Sequence, residues 1–175
     1  ISNIDDNVGA TRALLRELGL ERNTLFVFTT DNGTATGARV FNAGMRGAKV
    51  TPWLGGTRAA SFWRWPGTLQ PGDISSLTAH IDVFPTLAEI TGAKHNGKVK
   101  KQVEGRSLVP LLRDPKAPWP DRVLFTHIGR WPAGKAAEAK YSKCSVRAPR
   151  WHLVCDNKSG AKQWQLFDVK ADPSE

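Results

Sequence analysis

Asp31-Asn32-Gly33 stands directly after Thr24-Leu-Phe-Val-Phe-Thr-Thr30, a short apolar, β-branched run of the kind a buried parallel strand shows. An Asp carboxylate and an Asn carbonyl are hard oxygen donors, suited to Ca²⁺ or Mg²⁺ and poorly suited to a soft metal. Ligands of α/β sheets bind beyond the carboxyl ends of strands, which is where this triplet falls. Gly33 would let the backbone turn sharply without a Cβ clash. The same three residues are also an ordinary turn sequence, and taken alone the triplet favours a plain turn over a metal site. Lys49, six residues before Gly55-Gly56, adds a cation to the same stretch; by itself it reads equally as a solvated loop lysine.

The other reactive side chains form no constellation. His80, His95, His127 and His152 are widely spread and show neither His-x-x-x-His nor Cys/His zinc spacing. His80 reads as a capping or packing residue near a helix start, and His127 and His152 as satisfied polar side chains on strands. Tyr141, Cys144 and Cys155 lie in no nucleophile motif. If Tyr141 to Asp156 folds as a hairpin turning at Pro149-Arg150, Cys144 falls opposite Cys155, Val146 opposite Leu153 and Arg147 opposite His152. A disulfide is one outcome of that register; two free thiols are expected instead, because a cross-strand bridge strains the sheet.

The elements that must position these residues follow from the apolar pattern. Ile4, Val8, Leu14, Leu15 and Leu18 fall near one face of a helix that Gly19 ends. A helix feeding the Thr24 to Thr30 strand indicates an α/β sheet. Asp31 to Gly56 is rich in Gly and has no clear period, so it reads as a long irregular loop, and such loops in compact domains are functional or disordered. Arg58 to Trp65 returns as a strand that Pro66-Gly67 ends. Asp82 begins a helix as its N-cap, with Pro85 in the first turn and Gly92 after the last apolar residue. Leu108 to Leu112 gives a short helical turn. The prolines at 115, 118 and 120 then place a boundary that divides the chain into 1–118 and 119–175. Beyond it, Val123 to Ile128, Ser142 to Arg147, Trp151 to Cys155 and Trp164 to Val169 read as strands of an antiparallel sheet.

Composition limits the classes. The chain has 175 residues, 40% hydrophobic, enough to bury a core and too apolar for a disordered chain. No run approaches the roughly 20 apolar residues that cross a bilayer, and the first residues lack the order of a signal peptide. The lack of an initiator Met and an end at Phe-Asp-Val-Lys-Ala-Asp-Pro-Ser-Glu175 lead us to expect a segment of a longer protein, which leaves localisation open. A formal charge of +9 steers anionic partners toward the surface without choosing among them. The densest basic cluster, Lys94 to Lys101, has neither helical spacing nor interleaved aromatics and reads as a solvated loop; no nucleic-acid partner is expected.

In order along the chain, Phe26-Val-Phe-Thr-Thr-Asp-Asn-Gly33, Gly47-Ala-Lys49, Gly55-Gly-Thr-Arg58, Trp65-Pro-Gly67, His80-Ile-Asp-Val-Phe-Pro-Thr-Leu87, Glu104-Gly-Arg-Ser-Leu-Val-Pro-Leu-Leu112, Gln165-Leu-Phe-Asp-Val169 and Asp172-Pro173 stand as a series. This series resembles the later part of the formylglycine-dependent sulfatases. The resemblance covers nearly the whole chain. It implies an α/β fold of the alkaline-phosphatase-like kind, partial here, followed by a small C-terminal subdomain with an antiparallel sheet. It implies that Asp31 and Asn32 are the later pair of metal ligands, usually on Ca²⁺, and that Lys49 contacts the sulfate group. Sulfate ester cleavage gathers negative charge on the non-bridging and leaving oxygens, which a metal and a fixed cation offset. Arg46 is either a second anion contact or, as expected, a surface ion pair; Arg58 is assigned to structure.

The departures define what is missing. Leu54 replaces the family's usual Glu before the paired glycines, and Ala59-Ala60 replaces a Val-Pro pair. Nothing here matches the Cys- or Ser-x-Pro-x-Arg segment whose first residue becomes formylglycine, nor the early Asp pair and the active-site histidines. The expected function is therefore a sulfuric ester hydrolase part, inactive alone, acting on a small-molecule or glycan sulfate ester, in a periplasmic, secreted or lysosomal setting by resemblance. A non-catalytic anion- or sulfated-glycan-binding module, and a phosphonate or phosphate ester hydrolase, are the alternatives.

Overall fold

The computed structural model describes residues 2–94, 97–157 and 163–175. The chain forms two compact units. The first comprises Ile1–Thr29, Ala60–Ser75 and Ile81–Pro118; the second comprises Thr30–Ala59, Ser76–His80 and Trp119–Glu175.

The first unit begins with α1 (Ser2–Glu17), stopped by Gly19 at φ +68°, a conformation that a residue without Cβ adopts freely. No α1 residue is buried, and Ile4 and Leu14 are exposed although the apolar periodicity predicts a packed face. Strand β1 (Phe26–Thr29) pairs with β2 (Ser61–Arg64), Phe26 opposite Arg64 and Thr29 opposite Ser61. The pairing is antiparallel, and β1 is half-buried, where the apolar run predicted a buried parallel strand. A continuous apolar run reports burial propensity; strand direction depends on which segment returns alongside, and here that is 61–64.

Helix α3 (Val83–Thr91) ends at Gly92 in the left-handed conformation, as the sequence indicates. Asp82 occupies the N-cap position but makes no side-chain cap. Its buried carboxylate instead accepts from the Arg106 amide at 2.8 Å. Thr86 Oγ1 donates to the Asp82 carbonyl and accepts from the Leu108 amide at 2.8 Å. The Asp-x-x-x-Thr spacing thus ties α3 to the entry of α5 (Val109–Arg113), whose Leu111 is fully buried. Gly105 permits this approach, since a Cβ there would lie 1.9 Å from the Ile81 carbonyl oxygen. Helix α4 (Gly97–Lys100) replaces part of the predicted solvated loop with one turn whose Lys98 and Lys100 stay exposed; His95 and Asn96 lie outside the described residues. An apolar cavity lined by Leu25, Trp65, Leu69, Ile90, Val109 and Leu112 also lies in this unit and contains none of the sequence-predicted site residues.

In the second unit, α2 (Leu54–Thr57) is a single turn inside the long loop. The strands β3 (Leu124–His127), β4 (Cys144–Arg147), β5 (Trp151–Cys155) and β6 (Gln165–Asp168) form an antiparallel sheet in sequence order. The β4–β5 register is the predicted one: Cys144 opposite Cys155, Val146 opposite Leu153, Arg147 opposite His152. Cys144 and Cys155 are buried free thiols, and Cys155 Sγ lies 3.0 Å from the Tyr141 carbonyl. Burial pushes the Cys144 thiol up, and the neighbouring Cys155 adds to the shift. No helix among the described residues is long and apolar enough to cross a membrane.

Candidate active-site loop

Strand β1 ends at Thr29, so Asp31 and Asn32 follow it after a single residue. The Thr30 carbonyl between them accepts a hydrogen bond from His80 Nε2 at 2.9 Å. His80 therefore fixes the peptide from which the Asp-Asn pair departs, a role the sequence did not reveal beyond its being a packing residue. Asp31 is exposed and Asn32 half-buried.

Two backbone bonds clamp this turn to the loop that carries Lys49. The Gly33 amide donates to the Gly56 carbonyl at 3.0 Å, and the Lys49 amide donates to the Thr34 carbonyl at 2.8 Å. The first contact demands glycine: a Cβ on Gly33 would sit 1.8 Å from the Gly55 carbonyl oxygen. Gly55 and Gly56 are equally constrained, because a Cβ on Gly55 would meet the Gly47 carbonyl oxygen at 2.4 Å and one on Gly56 the Thr51 carbonyl oxygen at 2.3 Å. Three backbone segments thus come into close contact, with Asp31 and Asn32 on one of them and Lys49 on another. Asn42 and Thr51 close the remaining valences of this knot. Asn42 Nδ2 donates to the Met45 and Gly47 carbonyls at 2.7 and 2.9 Å, and Thr51 Oγ1 donates to the Ala48 carbonyl at 2.7 Å. Val50, next to Lys49, is held at φ +71°, a conformation that costs a β-branched residue about 1–3 kcal/mol and persists only where surroundings enforce it.

The loop is anchored from the sheet side by residues no motif pointed to. Trp53 Nε1 donates to Asp156 Oδ2 at 2.8 Å, and the Trp53 ring meets Phe167 edge-on at 5.5 Å. The Arg46 guanidinium lies 3.7 Å from the Trp53 ring centroid, so among the described residues its partner is an aromatic face where the sequence reading expected a surface ion pair. The Leu54 amide donates to Glu175 Oε2 at 2.8 Å, and Glu175 Oε1 accepts from His152 Nδ1. His152 is thus a satisfied buried side chain. His127 is exposed and also satisfied: its Nε2 donates to the Ala139 carbonyl and its Nδ1 accepts from Gly129. Asp156 and Glu175 escaped sequence analysis because each acts on a residue more than 100 positions away.

Asp31 and Asn32 offer a carboxylate and a carbonyl oxygen, a donor set that fits Ca²⁺ chemically and supplies only part of the six to eight oxygens such an ion takes. Among the described residues, no three His, Cys, Asp or Glu side chains converge as a metal-holding group.

Comparison with known proteins bears on the whole chain. The Sulfatase family matches residues 1–93, and the family of N-sulphoglucosamine sulphohydrolase C-terminal regions matches residues 56–175. The steryl-sulfatase of Mus musculus is 34% identical over 176 residues, covering 95% of this chain and 25% of its own length. The N-acetylgalactosamine-6-sulfatase of the same species is 32% identical over 134 residues, covering 74% of this chain and 25% of its own. The crystal structure of Ps i-CgsB in complex with k-i-k-neocarrahexaose superposes with a TM-score of 0.80 at 25% identity, over 98% of this chain and 36% of that one. The chain therefore spans about a quarter of the length of these curated relatives. Its fold is part of the alkaline-phosphatase-like α/β sulfatase fold, with the antiparallel C-terminal sheet the sequence indicated.

Proposed function

The chain belongs to the sulfatase family, and on that premise we propose that it supplies the later metal ligands and the sulfate-binding lysine of a sulfuric ester hydrolase whose formylglycine nucleophile lies elsewhere in a longer chain. In this reading residues 1–118 are the later part of the catalytic domain and 119–175 its C-terminal subdomain. The observation that carries it is the glycine knot: Gly33–Gly56 and Lys49–Thr34 hydrogen bonds hold a hard-donor pair and a cation on adjoining turns.

Asp31 and Asn32 would hold one divalent cation, Ca²⁺ by their chemistry, which when bound supplies fixed positive charge beside the ester. Lys49 extends from a backbone held at its own amide, which fixes where its side chain starts. Its ammonium offsets charge gathering on the non-bridging sulfate oxygens, and because the knot is assembled beforehand, little reorganisation is needed as that charge grows. Glycan sulfate esters are among the substrates this reading admits, as are smaller organic sulfates, in a periplasmic, secreted or lysosomal setting.

Calorimetry with Ca²⁺ on the intact protein, together with turnover of a sulfate ester and of the matching phosphate ester, tests the proposal. Asp31→Ala is expected to weaken Ca²⁺ binding by at least about tenfold, as loss of a charged ligand should, and the sulfate ester is expected to be the faster substrate. Equal Ca²⁺ affinity in both proteins removes Asp31 from the metal. Preference for the phosphate ester moves the protein to a neighbouring hydrolase class. Binding of sulfated ligands without turnover makes it an anion-binding module.

A further inference from the structure

Glu175 stands two residues after Asp172-Pro173, the last motif of the series that carries the family resemblance, and nothing in that resemblance gives it a task. Its side chain is fully buried, and so is that of His152, which donates to one of its carboxylate oxygens. The other oxygen accepts from the Leu54 amide at 2.8 Å, at the first residue of α2. Leu54 is itself buried, so its amide has no water to turn to if the carboxylate is withdrawn. Arg147 completes the charge environment: burial lowers its pKa, Glu175 opposes that shift, and Arg58 adds to it. A buried carboxylate with a half-buried guanidinium nearby, an imidazole on one oxygen and a backbone amide on the other has its lone pairs engaged, which is the condition under which a buried charge is tolerated.

The consequence lies in what Leu54 leads to. Gly55 donates to the Arg46 carbonyl at 2.7 Å, and Gly56 accepts from Gly33. From the Leu54 amide to the Asp31-Asn32 turn and to the Arg46–Lys49 strand of the loop there is one continuous set of backbone bonds. We propose that Glu175, oriented by His152, is a positioning residue for the active-site loop: it pins the start of α2, and through Gly55 and Gly56 it holds the Lys49 loop and the metal-ligand turn in register. The pin reaches the site only through backbone, so Glu175 touches no substrate. This rests on the reading of Lys49 and Asp31 as site residues, while the mechanical claim stands on the hydrogen bonds alone.

Hydrogen–deuterium exchange on the intact protein, paired with sulfate ester kinetics, separates the two. In Glu175→Ala the amides of Leu54, Gly55, Gly56 and Gly33 are expected to lose protection by about tenfold, as local opening follows loss of a buried amide's partner, while the amides of β3 and β4 keep theirs. Turnover is expected to fall at least about tenfold in kcat with KM changed less. Glu175→Gln keeps an oxygen for Leu54 and is expected to restore most of the protection and part of kcat. The proposal is overturned if exchange at 54–56 is the same in Glu175→Ala as in the parent, or if Gln and Ala variants lose protection uniformly across the sheet. Should no variant or parent hydrolyse sulfate esters, the functional reading fails, and the exchange pattern still decides the pin.

Discussion

Along β3 to β6 the chain is held by a repeating ladder, each residue paired with one opposite, whereas from Thr30 to Ala59 it is held by a few contacts that each occur once. In the sheet, side chains such as Val154 and Ser145 are buried and exposed Leu166 is not, so tolerance varies residue by residue with the pleat. In the loop, tolerance is set by backbone approach: Gly33, Gly55 and Gly56 leave no room for a methyl group. A ladder spreads its stability over many equivalent bonds; a knot concentrates it in three glycines. In the proposed reading, that concentration holds in place the turns that carry Asp31, Asn32 and Lys49.

The largest expected effect sharpens the contrast by touching function without fold. On the proposed function, Lys49→Ala in the intact protein is expected to lower turnover on a sulfate ester by about 10²–10³, the usual cost of removing one group that stabilises transition-state charge. Its stability should change by no more than about 0.5 kcal/mol, because the Lys49 side chain is exposed and its backbone bond to Thr34 survives the substitution. Steady-state kinetics and a thermal melt on the same preparation check both halves; unchanged kinetics would remove Lys49 from the site.

Next comes a direct attempt to break the comparison. Gly33→Ala should destabilise the protein by about 2–3 kcal/mol or more, since the added Cβ collides with backbone that cannot rotate away. Leu166→Ala, at a 62% exposed position of β6, should cost no more than about 0.5 kcal/mol. Urea unfolding of the two variants measures the difference, and equal midpoints would show that the loop is not locked by close approach.

The smallest effect belongs to the sheet's rim. Arg150 Nε and Nη2 donate to Asp168 Oδ2 at 2.8 and 2.6 Å, and these bonds hold the Asp168 carboxyl below its ordinary value of 3.8. A depressed folded-state pKa contributes stability above the unfolded value and loses it as pH falls through the folded one. The pair is solvent-exposed and its contribution correspondingly small. Arg150→Ala should lower the melting temperature slightly at neutral pH, and the gap to the parent should close as pH falls below about 3.8. A gap that persists in acid would assign the effect to the Arg150 stack on Trp151 instead.

The ladder, the punctuation and the chemistry on offer are legible in the order of residues. Strand periodicity and the Pro149-Arg150 turn were enough to set Cys144 against Cys155 and Arg147 against His152, because in a hairpin the turn fixes the register of everything after it. Gly92 ended α3 and the Asp31-Asn32 pair named its own donor class for the same reason: both are properties of residues read locally. What those residues meet depends on the folded chain. The Asp82 carboxylate left the cap to take the Arg106 amide, β1 found an antiparallel partner, and Arg46 found the Trp53 ring in place of an ion pair. Above all, the three glycines of the knot and the Glu175 bond to Leu54 join segments as much as 121 residues apart. No local pattern carries such a contact, because its energy depends on where two distant backbones are brought by everything folded between them.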